Sequence, residues 1–276
     1  MSTGQTLIAE IDAFTAPSGT IAFWWLGQHS FIAKFGGRVV YFDPYLNPSP
    51  KRNTPSLLRP GEVTNADLVL GTHDHSDHID RPSLPALLAA SPQATLVVPD
   101  LVREKLVGDL ALDGRRIVGL DAGQTVEIAG LRVSAVAAAH EFLDRDPATG
   151  RHPYLGYIVQ GHGVTVYHAG DTCIYEGMRA ALARFPIDLA FLPINGRDAV
   201  RYARHCIGNM TYQEAADLAG DIRPRLVVPT HFDMFNGNTE NPELFRAYLN
   251  VKYPHLETMI PRHGEKTLLT VAPVGS

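Results

Sequence analysis

The chain has 276 residues, 45% of them hydrophobic and 19% charged, which supplies an ordinary buried core for one large domain or two modest ones and excludes a disordered chain. Its formal charge of −5, from 24 basic and 29 acidic residues, gives no global field that would draw nucleic acid or an anionic membrane, although it is compatible with a local basic pocket. The first residues hold no positive cluster and no apolar core, no later stretch approaches eighteen uninterrupted apolar residues, and Cys173 and Cys206 are too few for a disulfide framework; the expectation is a soluble, cytoplasmic protein with free thiols.

Residues 1–19 read as an unspecialised lead-in ending in the turn Pro17-Ser18-Gly19. Apolar runs at 21–26, 31–35 and 38–42, separated by Gly27-Gln28-His29-Ser30 and Gly36-Gly37, predict an antiparallel meander. It stops at Asp43-Pro44, because proline ends a ladder. Residues 45–62 predict a long surface loop able to border a site, and 66–71 a strand buried on both faces. Helices are expected at 84–90, behind Arg81-Pro82-Ser83, and at 100–108, with strands at 94–98, 115–120 and 125–128.

From Gly130 the pattern restarts. Strands are predicted at 131–137, 154–160 and 164–167, a polar loop at 141–152, a helix at 177–185 and a strand at 187–192. Thr211-Tyr212-Gln213-Glu214 is a capping-box signature opening a helix; beyond it come a strand at 225–228, a helix from Asn241-Pro242 and a strand at 267–271. Two successive halves, about 20–129 and 130–276, each a meander leading into alternating strands and helices, predict one α+β domain over 1–276: two mixed sheets packed together with helices outside.

The densest chemistry lies in Thr72-His73-Asp74-His75-Ser76-Asp77-His78, directly after the apolar run Leu68-Val69-Leu70. In an extended chain His73 and His75 face one side, while Asp77 and His78 can turn back toward a second point, a spacing better suited to two adjacent cations than to one. His140, Asp171 and His231 each come after an apolar run, at strand tips where side chains can converge on a rigid frame.

This pattern resembles the metallo-beta-lactamase superfamily, whose fold is an αββα sandwich of two similar halves. Phe23-Trp24-Trp25-Leu26-Gly27, Thr72 through Asp80, Tyr167 through Asp171, and Asn209-Met210-Thr211 are similar to the branch containing L-ascorbate-6-phosphate lactonase, although the first-half loops and the segment 261–266 look shorter. The resemblance implies that His73, His75 and His140 hold one metal, that Asp77, His78 and His231 hold the other, and that Asp171 bridges them. It also implies that Asp43 orients a ligand by hydrogen bonding, with a plain Asp-Pro turn cap as the alternative.

The function implied by the resemblance is that of a hydrolase with two divalent ions, manganese or zinc. It would split a small, phosphorylated lactone or ester with a hydroxide shared between the ions, Asp77 and Asp171 being its catalytic carboxylates. A phosphodiesterase and a non-catalytic metal-binding or regulatory protein are the alternatives. Arg197, Asn195 and Arg151 are the expected substrate contacts, since guanidinium forks match phosphate oxygens. The expected partner is a small anionic molecule and not nucleic acid; homo-oligomerisation is left open. Trp24, Trp25, His168 and the Gln28-His29 turn are given no catalytic role.

Overall fold

Strict alternation of large apolar side chains organises the first sheet. In β1 (Thr20–Gly27) all eight residues are buried: Ile21, Phe23 and Trp25 enter one apolar cluster, and Ala22, Trp24 and Leu26 enter the other. Neighbouring residues point to opposite faces of a strand, so a strand buried throughout must be covered on both sides. The computed structural model, which describes residues 4–271, provides both covers: a second sheet on one face and helices on the other.

β1 pairs antiparallel with β2 (Ser30–Phe35), and β2 with β3 (Arg38–Phe42). The parallel strands β4 (Leu68–Leu70), β5 (Thr95–Pro99) and β6 (Ile117–Leu120) extend this sheet. In the second sheet β7 (Thr125–Ile128), β8 (Leu131–Ala137), β9 (Leu155–Gly161) and β10 (Val164–His168) form the meander. The parallel strands β11 (Leu189–Pro193), β12 (Leu226–Thr230) and β13 (Glu257–Thr258) complete it. Each sheet has seven strands, because β14 (Lys266–Thr270) returns to pair with β1. The molecule is thus the expected αββα sandwich, but its sheets do not divide at 129/130: β7 lies in the second sheet and β14 in the first.

Between the sheets pack Phe23, Phe31, Phe42, Tyr157, Val159 and Phe191, with Phe31 stacked on Phe191 at 3.9 Å between ring centroids. The helical layer over the first sheet comprises α1 (Gly4–Ala13), α2 (Leu84–Ala90) and α3 (Asp100–Leu110), which pack Leu7, Ile11, Leu87 and Leu106 onto Trp24 and Tyr41. The second sheet is covered by α4 (Met178–Leu182), α6 (Tyr212–Ile222) and α7 (Pro242–Lys252), while the short α5 (Ala199–Ala203) stands on the surface.

Some elements differ from expectation, and α5 and β13 lie where no element is predicted. The lead-in contains α1: Leu7, Ile8 and Ile11 form a single apolar stripe, and the buried Lys34 ammonium donates to the carbonyls of Ile11 and Asp12 (3.2 Å for the latter) at its C-terminal end, where a cation is favourable. Ser83 does not cap α2; its hydroxyl donates to Asp80 Oδ2 (2.6 Å). Both cysteines are free, and among the described residues no helix is long and apolar enough to cross a membrane.

Candidate metal centre

The centre forms where strand ends of the two sheets meet. Gly71 closes β4 against Ile79, whose Cγ1 would stand 2.6 Å from a Cβ at this position. The loop then coils tightly: His78 and Ile79 both donate their amides to His75 O, at 3.1 and 2.8 Å. Asp43, at the tip of β3, organises it from below. Its Oδ1 accepts Thr72 N (2.8 Å), its Oδ2 accepts Thr72 Oγ1 (2.8 Å), and the same Oδ2 lies 2.6 Å from His78 Nδ1. With Nδ1 engaged, His78 presents Nε2 to the opposite side, the geometry by which a carboxylate orients an imidazole for a metal.

The second sheet supplies the rest. His140 lies beyond the end of β8, Asp171 beyond β10 and His231 beyond β12. Gly170 (φ 62°) admits Asp171, since a Cβ there would lie 2.5 Å from Leu155 O. Three overlapping sets result: His73, His75 and His140; His73, His78 and Asp171; Asp77, His78 and His231. Within each set one donor atom per residue lies within 4.8 Å of the others. Asp171 stands between the outer sets, with Oδ1 3.3 Å from His78 Nε2 and Oδ2 3.1 Å from His231 Nε2 and 3.8 Å from His140 Nε2.

These groups fit divalent cations. His78 Nε2 and Asp171 Oδ1 are buried, face each other and have no hydrogen-bond partner, and buried polar atoms are otherwise satisfied in folded proteins. His73 Nε2 and His140 Nε2 lie 3.0 and 3.3 Å from His75 Nδ1, a crowd of lone pairs. Burial pushes His73 well below the usual histidine range and His140 down to about 4, so both are neutral ligands at neutral pH. The Asp171 carboxyl is held far below its ordinary value: burial opposes this, but the facing His231 and His78 outweigh it.

The backbone is strained here as well. Five of the nine non-glycine residues with positive φ among the described residues, Gln28, Asp43, Glu141, His205 and His231, lie at or beside the centre, the pattern expected where tertiary structure holds side chains against local preference.

A cavity of about 260 Å³ opens over His75, Asp77, His140, Asp171 and His231, walled by His205, Ile207, Phe235 and Asn238. A roomier one of about 670 Å³ under residues 46–60 touches none of the ligand candidates; the donor atoms, rather than size, locate the site. None of the four wall residues stands out in the sequence, because they belong to loops with no motif.

The expected substrate contacts lie elsewhere. Arg197 forks onto Glu214 through both terminal guanidinium nitrogens (2.6 and 2.7 Å) and lines a neighbouring cavity that shares only Ile207 with the one over the ligand candidates. Arg151 is paired with Asp100 at the start of α3. Asn195 is fully buried, donates to Asn238 Oδ1 (2.8 Å) and accepts from Asn209 Nδ2 (3.0 Å), so it supports the cavity wall without lining it. The physical reason is the same for both arginines: a carboxylate within reach already satisfies the fork.

The Gln28-His29 turn is, conversely, part of the centre. Gln28 Nε2 lies 2.8 Å from Asp77 Oδ2 and 2.9 Å from His231 Nε2. His29 is fully buried with its ring 5.9 Å from that of His78. Two polar residues at the turn between the apolar runs 21–26 and 31–33 were the available signal. Trp24 and Trp25 are both buried, in opposite clusters, and His168 Nε2 donates to His29 O behind the site (2.8 Å).

Residues 38–232, which include all seven ligand candidates, match the beta-lactamase superfamily domain. A UPF0173 metal-dependent hydrolase of Nitratidesulfovibrio vulgaris is 32% identical over 248 residues, 89% of this chain and 94% of that protein. Another from Thermococcus kodakarensis is 32% identical over 242 residues, 87% of this chain and 96% of that protein. Among solved structures, a metallo hydrolase from the archaeon Ignicoccus hospitalis superposes with a TM-score of 0.70, covering 91% of this chain and 98% of that one at 21% identity, a likeness of fold.

Proposed function

Because this chain belongs to the beta-lactamase superfamily, among its metal-dependent hydrolases, we propose that it hydrolyses a small lactone or ester at a centre of two divalent cations. His73, His75 and His140 would hold one, Asp77, His78 and His231 the other, and Asp171 would be shared. The observation that carries this reading is that the buried set of His73, His78 and Asp171 links the two outer donor sets, sharing His73 with one and His78 with the other; a single four-coordinate ion has no use for seven donors. Neither cysteine belongs to any of these sets, and an imidazole and carboxylate donor set suits zinc or manganese.

Divalent cations bound there supply Lewis-acid chemistry, making water a competent nucleophile near neutral pH and withdrawing charge from a substrate oxygen. The chain's own groups do the rest. Asp43 fixes the His78 ring, and Asp171 fixes the relation between the two halves of the site. The Asp77 side chain is 15% exposed against 5% for Asp171, so Asp77 is the carboxylate a departing oxygen can reach, and it would pass to that oxygen the proton it takes from the attacking water. His205 and Asn238 are the polar groups of the wall. No arginine lines this cavity, which favours a lactone or ester with a small polar substituent over a substrate gripped by its phosphate.

The test is direct. Protein stripped with chelator and reloaded with zinc or manganese is offered free and phosphorylated sugar lactones, simple esters and a generic phosphodiester. Metal-dependent turnover of lactone or ester is expected. Turnover of the diester alone would replace the substrate class, and failure to take up either metal would overturn the reading altogether.

A further inference from the structure

We infer that Gln28 is an additional metal-binding residue, its side-chain amide oxygen completing the donor set of Asp77, His78 and His231. The inference rests on the two-cation reading above. Gln28 lies in the β1–β2 turn, ahead of the segment 38–232 that matches the superfamily domain.

The turn is clamped from three directions. Gln28 N donates to Asp233 Oδ1 (2.9 Å), and Gln28 O accepts both His231 N (3.0 Å) and Trp25 Nε1 (3.2 Å). Its φ of 53° is a conformation that glycine or asparagine would adopt at lower cost. The side chain is fully buried and its amide head touches two donor atoms of one set, Asp77 Oδ2 at 2.8 Å and His231 Nε2 at 2.9 Å. It therefore stands over the point toward which that set converges. The other end of the amide, Oε1, is buried without a partner. One end stays unpartnered whichever way the head is turned, so the group is retained for what the inward end does.

The two ends of a primary amide have the same shape and exchange by a half-turn about the last side-chain bond. With nitrogen inward, its hydrogens occupy the lone pairs of Asp77 and His231 that a cation requires. With oxygen inward, a neutral oxygen joins the two imidazoles, Asp77 and the shared Asp171, raising the protein donors from four to five. Neutral amide oxygens are suitable donors for hard or borderline divalent ions.

Calorimetric titration of chelator-stripped protein with zinc alone tests this. The wild-type should bind two equivalents. Gln28→Ala, and Gln28→Asn, which tolerates the left-handed turn but is one methylene too short, should weaken one of the two sites by about tenfold or more and leave the other unchanged. Gln28→Glu should bind that zinc as tightly as the wild-type or tighter, because a carboxylate oxygen takes the amide's place. Wild-type titration curves for Gln28→Ala, or weaker binding by Gln28→Glu than by the wild-type, would overturn the assignment; the latter would mark N–H donation to Asp77 as the role instead. If Gln28→Ala fails to fold, Gln28→Glu alone decides. No zinc uptake by the wild-type would instead overturn the two-cation reading itself.

Discussion

β4 and β11 hold equivalent places, each the first parallel strand after its sheet's meander, and each leads into a loop crowded with charge. The loop after β4 carries His73, Asp74, His75, Asp77 and His78; the loop after β11 carries Arg197, Asp198, Arg201, Arg204 and His205. Only the first gathers ligands. In the second, Arg197 is forked to Glu214, and Arg201 binds Asp198 (2.8 Å) and Thr239 O (2.7 Å). In the first, the one carboxylate that points outward, Asp74, is likewise taken by Arg81 (2.7 Å); the other, Asp77, faces His78, His231 and the Gln28 amide. Charge density alone does not mark a site. What marks it is a gathering of imidazoles and carboxylates paired with no lysine or arginine, where a cation supplied from outside meets donors already assembled.

The largest effect that could break this contrast is at Asp171. Removing a group that merely orients a ligand costs about 10- to 100-fold in metal affinity or rate, and Asp171 reaches both outer donor sets. Asp171→Ala should lose both metals and fall in activity by more than that; elemental analysis that found full metal content in this variant would remove Asp171 from the centre. Asp43→Ala comes next. It should weaken the metal held by His78 by about 10- to 100-fold while leaving the set of His73, His75 and His140 occupied. Because Asp43 is fully buried and bonded to Thr72, the same change should also cost about 1–3 kcal/mol of stability, measurable by denaturant titration of metal-free protein. Equal loss from both metal sites would show that Asp43 holds the whole loop and not one ring.

Most of the sandwich and all seven lone-pair residues were legible because their signals are local: alternating apolar runs, a six-residue cluster, and single polar residues ending strands. The failures concern partners distant in sequence. Glu214 is visible as part of a capping box, and its Oε2 does accept Thr211 N (2.9 Å). Nothing linear says that the same carboxylate also receives Arg197 seventeen residues earlier. Gln28 reaches Asp77 across 49 residues, and β14 reaches β1 across almost the whole chain. Edge pairing of this kind leaves no trace in an apolar run. The first helix was missed for a different reason: three large apolar residues in a ten-residue stretch are too short a period to separate from a lead-in.

The smallest effect belongs to the loop that does not gather ligands. Arg197→Ala should leave metal content and turnover unchanged within about threefold, as expected of a group outside the reacting centre. It should lower stability at neutral pH by about 1 kcal/mol, since the pair is partly exposed, its side chains being 42% and 32% accessible. In a chain of this size that is a fall of about 2 °C in Tm. The sign with pH is set by Glu214, whose carboxyl is held below its ordinary value first by the Arg197 fork, against burial, and then by Thr211. A lowered folded-state pKa contributes stability above the ordinary glutamate range and loses it as pH falls through the folded value. The Tm difference between wild-type and Arg197→Ala should therefore be full at pH 7 and close in acid. A gap that stayed constant with pH would mean that Arg197 acts through its bond to Asn209 O (3.1 Å) and not through Glu214, and a large loss of turnover would return this loop to the site.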